Sequence, residues 1–311
     1  MNPLRGIVLK VISALSFTLM SAGIKFVGQN FPTGEIVFFR SLFALLPLLL
    51  WLGLRGEVGE AVRTTNVMGH VKRSLIGGCS MFFGFAALAK LPLSDAIAIG
   101  YVSPLLAVLL AAVLLKETVQ IYRWLAICMG FTGVLVMLTP HLASSVLMTG
   151  VSSASVTIGI LFALGGALCG ATSTIEVRKL INTEKTGSIC FYFAVLMAVL
   201  GLASIVLGNW VMPSVGEMAI LVGIGVAGGI GQILLTMSYR HADTSIIAPF
   251  EYTTMIWACL IGWFLFAELP VPAVLFGSAI IIASGVFLMW RQHHHSDAAR
   301  AARKAGPTPT L

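Results

Sequence analysis

Ala242–Glu268 reads ADTSIIAPFEYTTMIWACLIGWFLFAE, and Leu91–Glu117 reads LPLSDAIAIGYVSPLLAVLLAAVLLKE. Each begins with small polar turn residues, runs through an apolar stretch and stops at a glutamate. An offset of 151 pairs Ser94 with Ser245 and Glu117 with Glu268. A further apolar run follows each glutamate, with a glycine near its end: Gly133 and, after one inserted residue, Gly285. Upstream, Gly6 and Lys25 stand opposite Gly159 and Arg178 at an offset of 153. The chain reads as two related halves.

The rest of the sequence sets the environment of those halves. Hydrophobic residues make up 58% of the 311 and charged residues only 10%, against roughly 25% charged in soluble domains. Apolar runs of about 18 residues or more recur along the whole length, which is the pattern of membrane spans. They predict ten helices, near 5–27, 33–54, 72–90, 94–115, 119–139, 157–180, 187–208, 215–238, 244–267 and 270–290. The breaks QNFPTGE, KLPLSD, TPHLASS and ELPVP carry the Pro and Gly that end helices. The fold class expected is an all-α polytopic membrane protein. Arg5 and Lys10 ahead of VISALSFTLMSAG give the N-terminus a superficial likeness to a signal peptide, but Gly6–Val27 is long enough to stay as an uncleaved first span.

A formal net charge of +7 in a soluble protein would point to nucleic acid. Here the basic residues fall in short loops, which points to orientation and to the anionic headgroups of a lipid bilayer. Of 19 Lys and Arg, Lys10, Lys25 and Arg40 fall within spans. With a cytoplasmic N-terminus the others, Lys72 and Arg73 among them, divide 15 inside to 1 outside, Lys90 being the exception. The positive-inside rule therefore predicts both termini in the cytoplasm. The tail 291–311 is polar and is expected to be disordered.

Five spans per half is an odd number, so the second half must be inverted relative to the first. The organisation expected is one five-helix repeat over 5–139 and a second over 157–290. Such inverted repeats mark secondary transporters, with substrate sites near the midplane between the repeats.

The paired endings LLKE and LFAE, the FFR at Phe38–Arg40 and the APFEY at Ala248–Tyr252 resemble the EamA-type transporters of the drug/metabolite transporter superfamily. The resemblance covers roughly residues 5–290. It implies a ten-helix inverted-repeat carrier for a small-molecule substrate in the bacterial inner membrane, and no cofactor. MNPLRGI, TGEIVFFRS and SIIAPFEY are similar to bacterial riboflavin uptake transporters. Exporters of amino acids and importers of S-adenosylmethionine share much of the same pattern. The reading leaves room for a homodimer.

Ionisable residues inside a membrane are costly and need a partner or a purpose. Lys10 and Lys25 lie near span ends and can snorkel. Arg40 lies about two turns into its span and is a candidate for substrate contact or a structural ion pair. Glu251 lies equally deep in the ninth span, as proton carrier, hydrogen-bonding acid or partner of a cation such as Arg40. Pro249 removes a helical hydrogen bond just before it, and Pro104 is a second candidate break. Tyr252, Thr254, Trp257 and Tyr101 offer rings and hydroxyls at similar depth, on which a flat heteroaromatic substrate could stack, although ordinary packing uses the same residues.

Other signals are weaker. GIGVAG at Gly223–Gly228 matches GxGxxG but lies inside an apolar span, so dinucleotide binding is not expected. Gly225–Gly229 and Gly166–Gly170 read as close helix contacts. Cys79, Cys128, Cys169, Cys190 and Cys259 are scattered and form no CxxC pair, so they read as packing residues and no metal site is expected. His293–His295 belong to the basic tail. The chain contains no P-loop, HExxH or GxSxG, and His70, His141 and His241 lie in separate loops, so an enzyme is a remote alternative.

Overall fold

The computed structural model describes residues 3–114, 121, 124–125, 128–136, 139, 151–181, 183–207, 210–241 and 248–304. These residues form α1 (Pro3–Val27), α2 (Thr33–Leu54), α3 (Val58–Val62), α4 (Val67–Leu88), α5 (Leu93–Gly100) and α6 (Val102–Leu114). There follow α7 (Val151–Ile181), α8 (Thr186–Ala203), α9 (Val215–His241), α10 (Thr253–Phe266) and α11 (Pro272–Lys304). Short 3₁₀ turns at Ser204–Leu207 and Ala248–Tyr252 extend α8 and precede α10. No strand occurs among the described residues.

Among the described residues, five helices are long and apolar enough to cross a membrane: Leu4–Val27, Thr33–Leu54, Ala154–Val177, Gly187–Val206 and Val215–Leu235. Shorter apolar helices cover Leu93–Ala107, Phe250–Phe266 and Pro272–Phe287. The protein is a multi-pass membrane protein. Large apolar side chains stand on the outside, with Leu50 66% and Phe264 74% exposed. Such a surface is unfavourable in water and natural against lipid chains. Serines and threonines on the helices turn back to their own backbone, as Thr18 does to Ala14 O at 2.8 Å and Thr172 to Leu168 O at 3.0 Å. That satisfies the hydroxyl where water is absent.

In lipid, helices gain by close approach of small residues. A Cβ on Gly225 would stand 2.3 Å from Phe43 Cβ, and one on Gly229 would stand 2.5 Å from Pro47 Cγ. The GxxxG stripe therefore seats α9 on α2. Gly166 and Gly170 seat α7 on α4, against the Gly84 backbone and Ser80. The apparent GxGxxG is part of α9.

Two expectations change. α4 begins at Val67 rather than near residue 72, so Arg73 is a helix residue and not a loop charge. Asn66 makes the early start, because its side chain accepts from Gly69 N at 2.9 Å as an N-cap. The tail expected to be disordered continues α11 as far as Lys304. Its DAARAARK stretch is rich in strong helix formers, which explains the continuation. Residues 305–311, Glu117 and the loop around TPHLASS lie outside the described residues.

α10 ends in a Schellman-type cap, with Glu268 N on Gly262 O at 3.0 Å and Ala267 N on Trp263 O at 3.1 Å. Ala267 occupies the left-handed region there, at φ 53°. The turn directs Glu268 back to Lys25 Nζ at 2.9 Å and to Leu93 N at 3.0 Å, where it caps α5. Lys25 also donates to Leu91 O at 2.6 Å. Rather than snorkelling alone, Lys25 binds α1, α5 and α10 at one end of the molecule.

Candidate functional site

Both predicted helix breaks fall where tyrosines stand. Span four is divided into α5 and α6 at Tyr101. Pro104 lies in the first turn of α6, where a missing N–H costs little. Pro249 lies in the 3₁₀ turn Ala248–Tyr252, after which the α-helix resumes at Thr253.

The two breaks meet. Tyr101 and Tyr252 pack edge to face with ring centroids 5.2 Å apart. The Tyr101 hydroxyl shares a hydrogen bond with Thr254 Oγ1, which also donates to Glu251 O at 2.7 Å. Tyr101 is only 7% exposed. The Tyr252 hydroxyl lies against Gly285, where no side chain could fit beside it. Four of the candidates, Tyr101, Glu251, Tyr252 and Thr254, thus form one contact chain. Trp257 follows on α10, and its buried Nε1 has no hydrogen-bond partner.

Glu251 does not pair with Arg40. Its partner is Lys10 of α1, in an ion pair. Lys10 is 2% exposed and does not snorkel, whereas the Glu251 side chain is 46% exposed. The reason is local: the 3₁₀ turn packs on α1 and presents the carboxylate to that helix. Arg40 stands apart, 7% exposed on α2, with its Nε 3.2 Å from the position a Cβ on Gly228 would take. That Nε is buried and has no partner.

A cavity of about 280 Å³ lies among α1, α4, α5, α6 and α7. Ser21, Ser80 and Ser103 give it hydroxyls, and Gly84, Gly166 and Gly170 give it room. Ser103 is two residues beyond Tyr101, so the cavity borders the break in span four. None of these serines was a candidate from the sequence. Their signal, small residues at helical spacing on three separate helices, reads equally well as close packing. Among the described residues no three His, Cys, Asp or Glu gather as a metal site.

Two further clusters lie away from the cavity. Glu184, between α7 and α8, accepts from Thr64 Oγ1 at 2.9 Å, Thr65 N at 3.0 Å and Asn66 N at 3.1 Å. His70 Nε2 is 3.6 Å from it and stacks on Tyr192. Burial pushes the Glu184 carboxyl upward, but these hydrogen bonds outweigh it and hold the group below the usual carboxylate range. Glu176 pairs with Lys179 at 2.9 Å and reaches Lys72 at 3.3 Å as well.

The EamA-like transporter family matches residues 4–139 and again residues 157–291. The chain belongs to that family. Relatives of this EamA-like protein span nearly its whole length. An S-adenosylmethionine uptake transporter of Rickettsia prowazekii is 26% identical, over 93% of this chain and 94% of the relative. A pseudopaline exporter of Pseudomonas aeruginosa is 29% identical, over 91% and 95%. A riboflavin transporter of Rhizobium johnstonii is 27% identical, over 90% and 89%. A solved crystal structure shares the EamA-like protein's fold with a TM-score of 0.62 at 19% identity, covering 92% of this chain and 98% of that one.

Proposed function

We propose that this protein is a secondary carrier that moves a small metabolite across the bacterial inner membrane by alternating access. Its halves, 5–139 and 157–290, are read as inverted five-helix repeats making up ten spans, with both termini in the cytoplasm. One observation carries the reading. Tyr101 and Tyr252, related by the same offset of 151 that pairs Glu117 with Glu268, each stand at an interrupted span and touch one another. Interrupted helices that meet at depth are where such carriers keep their sites. Glu251, Tyr252, Thr254, Trp257 and Tyr101 border the substrate path, and Lys10 holds Glu251 in place.

Riboflavin uptake is the first specific form of this reading, supported by the motifs around Phe38–Arg40 and Ala248–Tyr252 and by the riboflavin transporter among the relatives. Carriage of a smaller amino-acid-like metabolite, inward or outward, is the second. The cavity favours it, since about 280 Å³ lies just below the range for ligand pockets, about 300–1,000 Å³.

The test is uptake in a riboflavin-requiring strain, with wild type and Glu251→Gln. Rescue by wild type and loss in the variant are expected for the first form. Failure of wild type to rescue rejects riboflavin, and full activity in Glu251→Gln removes Glu251 from the path.

A further inference from the structure

Two buried arginines lie within electrostatic reach of each other, and neither pairs with a carboxylate among the described residues. Arg40 projects from α2 until its Nε reaches Gly228, the central residue of α9. Arg73 projects from α4 until its Nη1 is 3.1 Å from the position a Cβ on Gly77 would take, near the middle of α4. One face of the Arg73 guanidinium lies on the Phe193 ring, 3.6 Å from its centroid. The two cations lie within electrostatic reach of each other and of the Cys190 thiol.

Three of their nitrogens are unmet. Arg40 Nε and Arg73 Nε and Nη1 are buried and have no partner, and neither guanidinium pairs with a described carboxylate. The next residue along the chain repeats the pattern in each helix, since Ser41 Oγ and Ser74 Oγ are also buried without a partner. The four residues lie at one level. Gly34 of α2 meets Phe82 of α4, and the helices run in opposite directions, so advancing to Ser41 and retreating to Ser74 brings the two residues to a similar level. Burying charge unpaired is strongly unfavourable, and two like charges together add repulsion. Stacking on Phe193 satisfies a ring face only.

The cavity begins one turn away. Ser80 and Gly170 line it, and Gly77 and Ser173, against which Arg73 lies, are one turn back along the same two helices. On the other side Ser21 lines the cavity beside Met20, whose sulfur shares the Gly228 surface with Arg40.

We propose that Arg40 and Arg73, with Ser41 and Ser74, form the oxyanion subsite of the transport path, receiving the carboxylate of a small metabolite whose body occupies the cavity. The planar fork of a guanidinium matches a carboxylate edge to edge. The inference rests on the carrier reading and refines it, placing a carboxylate-bearing substrate ahead of riboflavin, which has no carboxylate.

The test uses the full-length protein in lipid nanodiscs. Its thermal midpoint is followed with L-methionine, L-phenylalanine and succinate, each beside its amide, and separately with inorganic phosphate. At least one acid raises the midpoint while its amide does not. Arg40→Gln and Arg73→Gln weaken that response about tenfold or more, as expected when a charge-assisted hydrogen bond is lost. Equal effects of acid and amide, no effect of either, or an effect of phosphate alone overturns the proposal. The contrast of acid and amide in the wild type decides the matter even where a variant fails to fold, and Arg73→Lys keeps the charge for a second comparison. Flux of the same acids is measured in proteoliposomes. Binding without flux rejects the carrier reading and keeps the subsite, whereas flux of acid and amide alike rejects the subsite and keeps the carrier.

Discussion

Lys10 and Glu251 are joined in an ion pair between α1 and the 3₁₀ turn before α10, with the lysine buried and the carboxylate half open. The positions related to them by the repeat offsets are Ala163 and Gly100. The pair therefore exists on one side only of an otherwise repeated plan.

Removing Glu251 takes the counter-charge from a buried ammonium, whereas removing Lys10 leaves a half-exposed carboxylate. Glu251→Gln is expected to lower stability by about 1–2 kcal/mol, less than for a fully buried pair because solvent screens the carboxylate. Lys10→Met alone is expected to cost less, and combining the two is expected to recover most of the loss. A double-mutant cycle on thermal unfolding in detergent measures the coupling. Additive losses would show that the pair contributes nothing.

Glu184 gives a pH dependence of known sign. Its carboxyl is held below the ordinary value of 4.5 in the folded protein. A lowered folded value contributes stability that is complete above the unfolded value and is lost as pH falls through the folded one. Unfolding followed from pH 6 downward is expected to show this loss in the wild type. Glu184→Gln should be less stable at pH 6 and should lack that part of the slope.

Ala267 stands in the left-handed region at φ 53°, which costs an L-residue about 1 kcal/mol. Ala267→Gly is expected to stabilise the protein by up to about that amount, offset in part by the added freedom of glycine when unfolded. A rise in the unfolding midpoint checks it. A fall would mean that the alanine methyl group packs usefully.

The sequence alone showed the long helices well, and α2 (Thr33–Leu54) matches the expected span 33–54, beginning within the QNFPTGE break. Apolar runs and their Pro and Gly stops are local properties, legible without neighbours. The break at Tyr101 was harder to place, because the apolar run passes through it and Pro104 lies beyond it. Lys10 was misjudged for a different reason. Depth along a helix can be counted, but the carboxylate it meets is 241 positions away. Arg73 was missed because the cap at Asn66 starts α4 earlier than hydropathy indicates. Arg40 is buried on α2, and the carboxylate expected as its partner belongs to Lys10.

The ion pairs also divide the molecule mechanically. α1 is tied to the α10 segment at both ends, by Lys10 to Glu251 and by Lys25 to Glu268. α4 and α7 share, among the described residues, one ion pair, Lys72 to Glu176, and further along Ser80 Oγ donates to Gly166 O at 2.8 Å. The first seam is fastened by charge at two levels, the second by charge at one level and by a neutral hydrogen bond and glycine packing beyond it. The cavity lies along the second seam, where no charge has to be parted for the helices to shift.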